Sequence, residues 1–309
     1  MRKRGLLGCF LFLFVASFCP NLQATTVVCE ASIGSGGPAG VVVDNNGNAW
    51  VAFDSGNYVL EISPTSCGQV AKVTVGNTPI GLAFDGTNIW VTNYKSNTVT
   101  VINANSASVV ASYAVGSEPR GIVFDGTYIW VANYGSNTVS KLNPSNGALL
   151  GNFAVGTGPY SLAVDTANST IWVANRNSNN VMALNQSGVI QHTVSTGSEP
   201  QFLTFDGTNM WVSCYSAEKV DEISSSGSLL KSVSVSSHGN PTGLTWDPSD
   251  GLIWGVTWGG YTFSLNPSTS AVTYYYQGGH NLYDMIFDTS DRFFWVTDNQ
   301  DGIVIELVP

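Results

Sequence analysis

Short apolar stretches separated by clusters of Gly, Asn, Asp and Ser run from about residue 25 to the end of the chain. Within many of them apolar and polar positions alternate. A period of two, short runs and turn residues between them predict β-strands. Residues 79–84 read as a first strand ending at Asp85-Gly86. Residues 89–93, around Trp90, read as a second, 98–103 as a third and 107–115 as a fourth. No helical period interrupts the pattern.

The same set of strands recurs. A Trp-Val dipeptide or a close variant returns seven times, about every 40 residues, at Trp50, Trp90, Trp130, Trp172, Trp211, Trp254 and Trp295. Each first strand ends in an aspartate, from Asp44 to Asp288, and in six units a proline stands six residues before it. Units of four strands at this period are too small to bury an apolar face alone and pack around an axis. The expected fold is all-β, a seven-bladed β-propeller of four-stranded antiparallel blades in one domain over residues 25–309. The tryptophans should pack between blades. The aspartates should serve their own turns rather than hold a metal. The last unit offers strands at 283–288, 293–298 and 302–308 but no fourth. Residues 26–31 form a spare strand that would complete it and close the ring.

Residues 1–24 add an export signal to this picture. Arg2, Lys3 and Arg4 precede the apolar run 5–18, and Ala24 ends a cleavage-site pattern. A secreted, periplasmic or cell-surface location follows as the expectation. The chain holds 11 Lys and Arg against 21 Asp and Glu, and three of the basic residues lie in the leader. An acidic surface argues against nucleic acid as a partner, and no membrane insertion is expected after leader removal. Beyond the leader stand Cys29, Cys67 and Cys214. Closure by the N-terminal strand would bring Cys29 beside blade one, where Cys67 occupies the turn between strands three and four. Cys29–Cys67 is therefore the preferred disulfide, with Cys214 a buried thiol.

The segments Trp90-Val-Thr-Asn93, Trp130-Val-Ala-Asn133 and Trp172-Val-Ala-Asn175, with Ser96-Asn97-Thr98-Val99 and Ser136-Asn137-Thr138-Val139, resemble the YVTN-type propeller repeat of secreted and surface-layer proteins. Tryptophan stands in the place of tyrosine. The likeness covers essentially all of residues 25–309. It implies the fold and leaves the function open, because that family hosts many roles. A looser resemblance links the chain to virginiamycin B lyase-type propellers, which implies a metal-dependent site of His and Glu. The matching positions here are Phe53, Asn93, Asn133, Asn175, Cys214, Thr257 and Asp298, none of them Glu, so that site does not carry over.

Ligands of a propeller gather where loops enter strand one and leave strand two. There the units disagree, as a binding face on a repeated scaffold should. The variable positions supply Tyr94, Arg120, Tyr134, Tyr160, Arg176, Tyr215, Trp258 and Tyr283 as candidate ligand-binding residues. Flat faces with polar tips suit a sugar ring or a peptide. His238, His280 and Asp284 are the candidates for catalysis or proton transfer. The expectation is a monomeric module that binds an extracellular glycan or protein and needs no cofactor or metal. A lyase or hydrolase with its site at the channel mouth, and a structural surface-layer component, are the alternatives.

Overall fold

Alternating residues joined by tight turns pair as hairpins, and each unit becomes one antiparallel sheet. The computed structural model describes residues 26–32, 37–276, 281–289 and 292–308, with the backbone alone for 26–32 and 276. In blade two the strands are Pro79–Phe84, Asn88–Asn93, Thr98–Asn103 and Ser108–Ala114, hydrogen-bonded in that order. The fourth begins one residue later than the sequence suggests. Ala107 adopts a positive φ of 51° and belongs to the turn. Seven such four-stranded sheets form the propeller. Among the described residues its single helical turn is Ser236–His238, and no helix is long and apolar enough to cross a membrane.

The first hairpin of a blade depends on its aspartate. Asp85 Oδ1 accepts the N–H groups of Thr87 and Asn88 at 2.9 and 2.7 Å, which closes the turn. Its Oδ2 accepts the Trp90 indole N–H at 2.7 Å. The aspartate therefore does more than expected: it fixes the turn and the tryptophan together. Trp50, Trp130 and Trp211 repeat the bond to Asp44, Asp125 and Asp206. Asp250 replaces Asp247 as the partner of Trp254.

Each tryptophan is buried against the next blade. Trp50 packs with Leu82 and Val91, Trp90 with Ile122 and Val131, and Trp295 with Val41 and Val51. The core is thus seven wedges between neighbouring sheets, each clustered around one tryptophan. Strand Thr26–Ser32 closes the ring by pairing antiparallel with Ile303–Val308, Thr26 opposite Val308 and Ser32 opposite Ile303. Thr297 Oγ1 also donates to the Ala39 carbonyl across the seam at 2.7 Å. Cys67 is disulfide-bonded, while Cys214 is a free, buried thiol. The Cys29 side chain, the leader 1–24 and His280 lie outside the described residues.

Candidate functional site at the channel mouth

All seven first strands open with a β-bulge. In blade three the pairing with strand two lapses between Pro119 and Ile122, and in blade seven between Leu282 and Met285. A bulge frees its residues from the ladder and re-aims their side chains. Here the freed residues converge on the channel mouth. Neighbouring bulges approach so closely that four blades carry glycine there. A Cβ on Gly81 would stand 2.3 Å from the Arg120 carbonyl oxygen, and one on Gly121 2.6 Å from Ser161 Cα. Gly40 and Gly243 are equally confined.

A cavity of about 150 Å3 opens between these strands, lined among others by Ile80, Arg120, Tyr160, Phe202, Tyr283 and Asp284. A ring-sized group fits that volume. The guanidinium of Arg120 stands over three phenol rings, 4.4 Å from the centroid of Tyr160, 5.1 Å from Tyr94 and 5.3 Å from Tyr134. Its Nη1 donates to the Tyr283 hydroxyl at 3.4 Å, and the hydroxyls of Tyr160 and Tyr283 meet at 2.9 Å. Phe202 sets its edge against both rings, at 5.8 and 5.6 Å. Burial disfavours the Arg120 charge, but Tyr160, Tyr283, Tyr94 and Tyr134 more than offset it and hold the group protonated. Among the described residues no carboxylate pairs with Arg120. Arg176 differs. It meets Glu199 at 2.9 Å, and Ser216 donates to the same carboxylate at 2.7 Å.

Asp284 keeps part of its surface on the cavity yet lies deep in the protein. Burial pushes its carboxyl up to about 7, against the pull of the Met285 and Val41 N–H groups that it accepts at 2.9 and 3.3 Å. A carboxyl at that value can act as donor or acceptor near neutrality.

Six of the eight sequence-selected residues thus form one connected cluster: Tyr94, Arg120, Tyr134, Tyr160, Arg176 and Tyr283. Tyr215 adjoins it through Glu199 and Arg176. Trp258 is exposed and makes no described contact with the cluster. His238 lies elsewhere, between Tyr261 and Tyr274 on the outer strands of blade six, each ring 4.3 Å away. It is not brought to Asp284. Phe202 was not among the candidates. Blade five presents it to the cavity and buries Gln201, the residue after the proline. The signal was present: Phe202 stands where four other units have glycine. Among the described residues no three His, Cys, Asp or Glu side chains group as a metal site.

The fold is similar to that of solved propellers. Virginiamycin B lyase from Staphylococcus aureus superposes with a TM-score of 0.79 at 18% identity, over 91% of this chain and 98% of that one. A structure described as a streptogramin B lyase gives 0.78 at 16% identity, over 92% and 96%. Kuenenia stuttgartiensis hydrazine synthase gives 0.77 at 17% identity, over 95% and 99%. Likeness at these identities is one of fold. No protein-family model and no curated protein matches the sequence, so the YVTN-type resemblance is not confirmed as membership.

Proposed function

We propose that this chain is an exported, monomeric propeller of YVTN-type repeats that binds an extracellular polysaccharide or protein through its channel mouth. The observation that supports this reading is the Arg120 guanidinium held among Tyr94, Tyr134 and Tyr160 above an open cavity. Rigid aromatic faces beside a cation offer contact area at low entropic cost. Glycan-array and pull-down binding by the purified chain tests it. Binding should fall at least tenfold in Tyr134→Ala with circular dichroism unchanged. Unaltered binding in that variant sinks the reading.

A second reading, a lyase or hydrolase, draws on Asp284, whose carboxyl near 7 suits proton transfer. The fold's likeness to streptogramin-type lyases names a substrate to try. Turnover of a streptogramin B that disappears in Asp284→Asn would support it. Absence of turnover in the wild type removes it for this substrate.

A further inference from the structure

We infer that the cavity takes a carboxylate, as carried by a uronic-acid unit of an acidic glycan. The inference rests on the binding reading above and specifies its ligand chemistry.

The argument begins with an unmatched cation. A guanidinium has five N–H donors in a planar fork. Arg120 makes one described hydrogen bond to protein, to a phenol oxygen at 3.4 Å, and its Nε is buried without a partner. Cation–π contacts stabilise the charge but accept no hydrogen bond in its plane. Such a group is under-satisfied, and a planar two-oxygen anion on its cavity side is the matching acceptor. The Tyr160–Tyr283 hydroxyl pair lines the same space and can donate to the same anion. The chain as a whole is acidic, with a formal charge of −10. The unpaired cation is therefore a local reversal rather than part of a basic surface. Arg176, 5.8 Å from the Tyr160 centroid against 4.4 Å for Arg120, is already neutralised by Glu199. One anionic group is thus called for. The phenol faces beside Arg120 suit the apolar side of a sugar ring, and about 150 Å3 admits little more than one such unit.

Isothermal titration of the full chain with oligogalacturonate, its methyl ester and inorganic sulfate tests this. The acid should bind at least tenfold more tightly than the ester or sulfate. Arg120→Met should abolish that preference while melting within about 3 °C of wild type. Equal binding of acid and ester overturns the carboxylate and leaves the glycan reading standing. Binding of the ester alone does the same. If neither oligosaccharide binds, the carboxylate inference fails, and if the glycan array and pull-down are also blank the binding reading fails with it. If Arg120→Met melts far below wild type, the neutral hydrogen-bonding variant Arg120→Gln takes its place, and continued discrimination of acid from ester by folded Arg120→Gln overturns the inference.

Discussion

The turn aspartate also reaches the indole in blades one, two, three and five, whereas in blade six Asp250 takes the indole instead. Where five residues divide the aspartate from the tryptophan, as in Asp125 and Trp130, one side chain bonds both the turn and the indole. Seven residues separate Asp165 from Trp172; there Asp165 serves only the turn, and the indole N–H is buried without a partner. Asp125→Ala should therefore cost about 1–2 kcal/mol more in urea unfolding than Asp165→Ala, the difference being the stranded indole N–H. The turn function was legible from Asp-Gly spacing alone. The indole bond was not, because it needs the register of the folded hairpin. Asp284 yields a pH effect of known sign. Its folded value near 7 lies above the ordinary carboxyl value of 3.8, so the charged form disfavours folding. Stability should fall as pH rises from about 4 to about 7 and level off above. Asp284→Asn should match wild type at pH 4 and exceed it at pH 8 by roughly 2 kcal/mol, after allowance for partial solvation by the cavity. Denaturant titration at the two pH values checks it.

At the scale of the strand, the bulge that opens each blade decides what faces the axis. Four glycines there are explained by backbone approach, not by turns. Gly81→Ala would press a methyl into the Arg120 carbonyl and should destabilise by about 2–4 kcal/mol. The same substitution would displace Arg120 itself, so an assay of ligand binding should register it as well. Strand positions were read almost residue for residue, because alternation and turn residues agree in every unit. What escaped was the aim of residues inside the bulge. The residue after the proline faces the cavity in Ile80, Arg120 and Tyr160, but in blade five Gln201 is buried and Phe202 lines the cavity, although its bulge is like the others. The aromatic cluster was found because it varies between units. Phe202 is legible in the sequence only as a large residue at a position where four other units have glycine.

The described blades form a ring whose joint is the pairing of Thr26–Ser32 with Ile303–Val308. Removing Thr26–Ser32 would uncover the edge of Ile303–Val308, and size-exclusion chromatography should then show association through that edge. An unchanged elution volume and melting temperature would show the closing strand to be dispensable. This closure was legible from counting strands, since the last unit holds three and a spare precedes the first.

The cavity takes residues from six blades: Gly40, Ile80, Arg120, Tyr160, Phe202 and Tyr283 stand on blades one, two, three, four, five and seven. Asp284 also accepts the Val41 N–H across the joint. No subset of the ring can therefore hold the site. Whatever occupies it favours the closed circle over any opened one, and by reciprocity whatever tightens the joint raises the affinity by the same factor. The closing strand, far out on the rim, is in that sense an effector of the axis.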